Sequence, residues 1–195
     1  MSAAHRVERV LATRPDESWS MDFVSDALFD GRRLRALTVI DNFTRESLAI
    51  EVEQGITGQR VTEVLARVAG MRGLPSKIFL DNGPEFVSKA LDLWAYQHGM
   101  TLDFSRTGKP TDNAMIESFN GRLRDECLNV NWFLSLEDAR AKIEQWRLDY
   151  NESRPHTSLG GQTPREFARC CLAEQQVGEA SKRPNPHPMA GSISG

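Results

Sequence analysis

Bulky apolar and small or polar residues alternate from Trp19 to Ser25 and again from Ser47 to Val52, while Arg35 to Asp41 is a short β-branched run. A period of two predicts strands in all three. The Asp30-Gly31 turn signal and the short Asn42 to Arg45 link join them as an antiparallel meander. From Thr57 the period lengthens. Val61, Val64, Leu65 and Val68 fall at i, i+3, i+4 and i+7, and Gly70 and Gly73 punctuate the end, which predicts an amphipathic helix. Lys77 to Asp81 is a fourth apolar run stopped by Asn82-Gly83-Pro84. Val87, Ala90, Leu91 and Trp94 then keep helical spacing up to Gly99, so this strand is expected to feed directly into a helix. Met100 to Phe104 alternates again as a fifth strand.

The Gly108 to Asp112 loop offers Thr111 or Asp112 as the cap of a helix predicted to run to about Asn129, with Ile116, Phe119 and Leu123 as its packing stripe. Ser135 and Asp138 resemble a capping box ahead of a second stripe of Leu136, Ala139, Ile143, Trp146 and Tyr150. Trp94, Trp132 and Trp146 lie on or beside these stripes and are expected in the core. Thr163-Pro164 opens a last short helix. The order predicts an α/β fold, with a mixed five-stranded sheet and flanking helices. Residues 1–18 read as an N-terminal extension, 19–175 as the core, and 176–195, rich in Pro, Gly, Ser and Ala, as a disordered tail.

Composition narrows the possibilities. A chain of 195 residues fits one core-sized domain, and 24 Lys plus Arg against 27 Asp plus Glu leaves a net charge of −3. No overall positive field exists to draw in a phosphate backbone, so any reading that involves nucleic acid must rest on a site. Cys127, Cys170 and Cys171 have neither a disulfide framework nor zinc-finger spacing. No run approaches the roughly 18 apolar residues of a membrane span, and Met1 to Thr13 carries charges where a secretory signal needs an apolar stretch, so the expectation is a cytoplasmic protein.

Three carboxylates stand where folding alone gives little reason for them: Asp22 inside the first strand, Asp81 at the end of the fourth, and Glu117 in the helix after the fifth. In a mixed sheet, ligands collect beyond strand ends near a reversal of connections. Asn113, Glu117, Asn120 and Arg124 fall at i, i+4, i+7 and i+11, one polar stripe that leans Glu117 over the sheet edge. Converging carboxylates raise one another's pKa unless a cation neutralises them. Hard oxygen donors with few histidines nearby select Mg²⁺ or Mn²⁺ over zinc. Two such ions about 4 Å apart activate an attacking oxygen and stabilise a leaving one in phosphodiester chemistry.

Taken singly, these residues fit blander roles. Asp22 reads as an edge residue, Asp81-Asn82-Gly83 as a plain turn, Glu117 as a solvated helix face. Asn82 either orients Asp81 or forms the turn. His156, between Pro155 and Thr157, fits a DNA contact, a prop for the active-site edge, or a turn cap. Glu85 fits a group behind Asp81 or a helix-start acid, and Arg32, Arg33 and Arg35 read as a solvated hairpin. Arg106 and Lys109, in the loop before the third helix, and Arg124 are the candidate phosphate contacts.

The blocks Trp19-Ser-Met-Asp22-Phe, Leu80-Asp81-Asn-Gly-Pro-Glu-Phe86 and Asn113-Ala-Met-Ile-Glu117-Ser-Phe-Asn-Gly-Arg-Leu-Arg-Asp-Glu126 resemble the three catalytic blocks of bacterial insertion-sequence transposases in the retroviral integrase superfamily. Between Asp81 and Glu117 lie 35 residues, the spacing of that family's acidic triad, and Arg124 occupies the basic position seven residues after the glutamate. Asp149 to Leu159 and Thr163-Pro164 are similar to the family's C-terminal signature, so the resemblance covers roughly Trp19 to Ala173.

It implies a ribonuclease H-like fold and two Mg²⁺ or Mn²⁺ ions on Asp22, Asp81 and Glu117. It also implies DNA strand cleavage and strand transfer at the ends of a mobile element, by a homo-oligomer assembled with element ends and target DNA. Transposases of this kind carry an N-terminal helix-turn-helix recogniser, which is expected here as a separate region because the catalytic block starts by Trp19. Two rival readings remain: a catalytically idle truncated transposase that oligomerises or inhibits, and a ribonuclease H-type nuclease acting on an RNA–DNA hybrid. The triad spacing and the Arg-Pro-His segment point to the integrase branch.

Overall fold

The structure is a computed structural model and describes residues 12–105 and 113–181. Strands β1 (Ser18–Ala27), β2 (Arg33–Asp41) and β3 (Ser47–Glu53) form the expected meander. Helix α1 (Gly58–Arg72), β4 (Lys77–Leu80), α2 (Lys89–Gln97) and β5 (Thr101–Phe104) follow, then α3 (Ala114–Leu123), α4 (Leu136–Ser153) and α5 (Pro164–Ser181). The sheet order is β3-β2-β1-β4-β5. β2 pairs antiparallel with β1 and β3, while β4 pairs parallel with β1 and β5, so the sheet is mixed and β1 stands at its centre.

Side-chain alternation divides the core between the two faces of the sheet. Trp19 and Met21 of β1 join Leu37, Val39, Ile78 and Leu80 beneath α1 and α2. Val24, on the opposite parity, joins Ala36, Ile40 and Val52 beneath α3 and α4, where Ile116, Phe119, Ile143, Trp146 and Tyr150 pack. Asp22 shares the parity of Val24, so its carboxylate is delivered to the α3 side.

Helix starts follow the cap signals. Thr57 Oγ1 accepts from Arg60 N, Ser135 Oγ from Asp138 N at 3.1 Å, and Asp138 Oδ2 reaches back to Leu134 N at 2.9 Å. Thr163 and Glu166 form a reciprocal capping box, with each backbone N–H bonded to the other's side chain. The proposed Thr111 or Asp112 cap lies outside the described residues. The exposed edge of β3 is covered by α4: Asn151 bonds both Ser47 N and Ser47 O, and Arg140 Nε donates to Val52 O. These side chains satisfy backbone groups that would otherwise invite another strand.

Four expectations need correction. β4 does not feed directly into a helix, because residues 81–87 form a turn and α2 begins only at Lys89 behind the Ser88 cap. Glu85 is therefore no helix-start acid. The closing helix is not short, since α5 spans 18 residues and reaches Ser181. Trp132 is 73 % exposed, edge to face with an equally exposed Phe29, because residues 129–134 form the connection after α3 rather than part of a packed stripe. Trp94 and Trp146 are buried as expected. Among the described residues no helix is long and apolar enough to cross a membrane.

Candidate active site at the ends of β1 and β4

The parallel β1–β4 ladder ends at the Ser20–Phe79 pair. Asp22 and Asp81 each stand two residues further on, so period two returns both to the same side of the sheet at the same level. α3 crosses above β1 with Glu117 on the stripe it shares with Asn113, Asn120 and Arg124. The three carboxylates converge electrostatically: the Asp22 carboxyl is pushed up to about 6, first by burial and further by the charges of Asp81 and Glu117. Asp81 and Glu117 are exposed, whereas Asp22 is half-buried.

Each acid is held by its own strand or helix. Asp22 Oδ1 accepts from Phe23 N at 2.7 Å, and its Oδ2 accepts from Asn120 Nδ2 at 3.0 Å. Asn120 Oδ1 in turn accepts from Thr38 Oγ1, the β2 residue directly opposite Asp22, at 2.9 Å. Thr38 and Asn120 are buried, so a hydrogen-bonded line runs from β2 through α3 to the carboxylate and fixes the helix over the strand. Asp81 Oδ1 accepts from Gly83 N at 2.9 Å, an Asx turn. A Cβ on Gly83 would sit 3.0 Å from that oxygen, so any larger residue would crowd the carboxylate.

Asn82 Nδ2 donates to Ser105 O at 2.8 Å, tying the ends of β4 and β5. Asn113 stands at the α3 N-cap position, buried, with its Oδ1 unpartnered and no cap bond from its side chain. Arg124 lies on the carboxylate stripe and is exposed, at the start of a π-helical turn from Arg124 to Leu128 that continues α3 almost to the expected end. Arg106 and Lys109 fall outside the described residues. His156 is not at the carboxylates; it packs edge to face on Tyr150 with its ring centroid 5.1 Å away, on the far side of α3.

Sequence reasoning missed Thr38 and Arg35. Arg35 is no solvated hairpin residue: its guanidinium pairs with Glu85 and lies 4.2 Å over the Phe23 ring, which stacks on Phe86. Burial works to raise the Glu85 carboxyl, yet the Arg35 bond and charge more than offset it and leave Glu85 below the usual range. The turn that carries Asp81 is thereby clamped to β1 and β2. Arg35 stands diagonally to Phe23, two residues along β2 from the directly facing Leu37, a relation that only the β1–β2 register sets. Arg154, in the Arg-Pro-His segment, pairs with Glu126 and Asp149 and lies over Trp146, so that segment braces α4 against the end of α3.

The donor set suits a hard divalent cation: three carboxylates, oxygen only, with Asp22 raised first by burial and further by the others' charge. Among the described residues no group of three or more acidic, His or Cys side chains is drawn together tightly enough to hold an ion as it stands. The geometry is that of an open site, with Asp22 engaged by Phe23 and Asn120 and Asp81 by its own turn.

A mixed sheet of this order, with a parallel β1–β4–β5 half and helices on both faces, is the ribonuclease H-like fold. Residues 12–110 and 98–164 match the family described as Integrase core domain, and the chain belongs to it. A protein of insertion element IS407 from Burkholderia multivorans is 54 % identical over 163 residues, 84 % of this chain and 59 % of its own length. One of insertion element IS476 from Xanthomonas euvesicatoria is 50 % identical over 163 residues, 84 % of this chain and 47 % of its own. The transposase InsF of insertion sequence IS3A from Escherichia coli is 28 % identical over 83 % of this chain and 57 % of its own length. The chain thus spans about half the length of these three relatives. The fold is also that of the HTLV-2 integrase catalytic core solved with magnesium, with a TM-score of 0.62 at 16 % identity over 80 % of this chain and 98 % of that one.

Proposed function

We propose that this chain is the catalytic core of an insertion-element transposase that cleaves DNA strands at element ends and joins them to target DNA with divalent metal. The observation that supports the reading is the placement of Asp22 and Asp81 just beyond the ends of the adjacent parallel strands β1 and β4, beneath the helix that carries Glu117, with the Asp22 carboxyl raised by burial and then by the charges of the other two. A cluster that repels itself in the bare fold is an arrangement that a cation completes. Asp22, Asp81 and Glu117 would hold two Mg²⁺ or Mn²⁺ ions, which when bound activate the attacking oxygen and neutralise the leaving one.

The chain's own residues supply position. Asn120 and Thr38 hold Asp22 toward α3, Gly83 keeps space beside Asp81, and the Arg35–Glu85 clamp steadies the turn. Arg124, and Arg106 and Lys109 ahead of α3, contact backbone phosphates. The assembled complex contains several copies, and recognition of element ends comes from a separate N-terminal region. The test is cleavage and strand transfer on element-end DNA with Mg²⁺, comparing wild type with Asp22→Asn, Asp81→Asn and Glu117→Gln. Equal activity in all four would end this reading, and turnover of an RNA–DNA hybrid in preference to DNA would replace it with the nuclease.

A further inference from the structure

Behind α3, on the face opposite Glu117, lies a cavity of about 230 Å³ that the proposed chemistry leaves unused. At 100° per residue Met115, Ser118 and Arg122 point away from the Glu117, Asn120 and Arg124 stripe, and they form one wall. Arg45, Ser158 and His156 line the others, over a floor that includes Ile40 and Phe119. Every polar side chain that lines it offers a hydrogen to an acceptor, and no carboxylate lines it. Arg45 and Arg122 have no carboxylate within ion-pair reach among the described residues. Asp41 acts on Arg45 through charge, but its carboxylate is occupied by the N–H groups of Asp16, Phe43 and Thr44.

The decisive group is His156. It is only 9 % exposed, and its Nε2 is buried without a partner. An orphaned polar atom in a folded core is costly unless a ligand satisfies it. The backbone holds the ring in place: His156 N donates to Gln162 O at 2.9 Å, and His156 O accepts from Leu159 and Gly161 across a turn in which Gly160 and Gly161 both have positive φ. Arg45 is anchored similarly, with Nη1 donating to Asn42 O at 2.7 Å. Burial, followed by the charges of Arg122, Arg45 and Arg154, lowers the His156 pKa and so favours the neutral ring, which donates through Nε2 in the tautomer that carries its proton there.

We infer that this cavity binds a backbone phosphate of DNA, with Arg122 and Arg45 supplying charge and His156, Ser118 and Ser158 supplying hydrogen bonds. The inference rests on the proposed DNA chemistry and extends it. A helix with side chains is about 10 to 12 Å across. Phosphates on one strand advance about 3.4 Å per step along the duplex. Because the strand also winds about the axis, roughly ten steps to a turn, phosphates two steps apart lie about 12 Å from each other, so a duplex with its reacting phosphate over the carboxylates can present another, about two steps along, at the opposite face of α3. Apolar walls around the donors reduce competition from water.

The test uses the 195-residue chain and a fluorescent duplex, with anisotropy followed across salt concentration and folding checked by circular dichroism. Because Arg122 is exposed, Arg122→Gln should fold normally. It should flatten the slope of log K against log salt by about one counterion and weaken binding roughly eightfold at 0.1 M salt. Nitrogen-edited NMR should show the His156 Nε2 resonance moving with duplex, and His156→Gln should weaken binding without changing the slope. An unchanged slope and affinity in Arg122→Gln, while Arg124→Gln lowers both, overturns the cavity and leaves the DNA reading standing. A His156 signal that moves with inorganic phosphate but not with bound duplex overturns the DNA assignment in favour of a free anion. Absence of duplex binding by the wild type overturns both readings.

Discussion

Helix α3 presents two chemically opposite faces to two regions of the molecule. One stripe carries Glu117 and Asn120 to the ends of β1 and β4, where acidic groups are exposed or half-buried and two of them sharpen the third. The opposite stripe, with Ser118 and Arg122, closes a cavity whose polar lining includes no carboxylate, with a buried imidazole nitrogen left over. A third stripe, Ile116, Phe119 and Leu123, holds both to one core. One short helix thus couples the two, and an anionic ligand that bridges them would be drawn to the basic side directly and to the acidic side through the cations it would hold. Net charge reports neither, which is why a chain of −3 still carries a basic site.

The largest effect should come from the acidic face. Asp81→Asn or Glu117→Gln should lower Mg²⁺-dependent cleavage of element-end DNA by at least about a thousandfold, on the order of 4 kcal/mol of transition-state stabilisation. Single-turnover gels measure it, and a loss under tenfold with intact folding would detach these carboxylates from the chemistry. Next is the line that positions Asp22. Asn120→Leu removes the bond to Asp22 and leaves Thr38 Oγ1 only the Asp22 carbonyl as acceptor. Groups that orient metal ligands are typically worth about 10- to 100-fold. The rate at saturating Mg²⁺ should fall by that much while the Mg²⁺ concentration for half-activity rises. A fall in DNA affinity alone would assign Asn120 to the DNA surface instead.

Asp22 also predicts a pH dependence of stability in the absence of metal. Its folded pKa of about 6 lies above its ordinary value of 3.8, so between these values the native state binds the extra proton. Stability from this group is therefore present at low pH and lost as pH rises through about 6. With part of Asp22 open to solvent, the difference should be on the order of 1 to 3 kcal/mol. Urea melts in EDTA at pH 5 and 7.5, read as wild type minus Asp22→Asn, isolate it from other titrating groups. Mg²⁺ at pH 7.5 should restore the stability in wild type only. A pH-independent difference would mean that the carboxylates do not sense one another.

Period-two and 3.6-residue patterns predicted all five strands and the helix stripes, because each element buries one face. The acidic residues were also legible, through strand ends and the 35-residue spacing. What the chain hid depends on register. That Thr38 faces Asp22 follows only from the β1–β2 pairing, and Arg35 reaching Glu85 joins residues 50 positions apart. Trp132 was misplaced because aromatic content beside a stripe says nothing about whether the backbone continues as helix. His156 was recognised as unusual, but its cavity draws on β2, α3, α4 and the loops after β2 and α4, which no local pattern combines.

The smallest effect is the sharpest test of two faces as two contacts. Arg122 and Arg124 are close in sequence, yet about 160° apart around the helix at 100° per residue. If each meets its own phosphate, the double variant Arg122→Gln/Arg124→Gln should lower the salt slope by about two counterions. The free-energy losses of the single variants should then add to within about 0.5 kcal/mol, as for independent sites. Anisotropy titrations of the four proteins against one duplex form the cycle. A coupling above about 1 kcal/mol, or a double-variant slope no lower than the single ones, would mean that both arginines serve the same phosphate, and the two faces of α3 would then contact DNA as one surface.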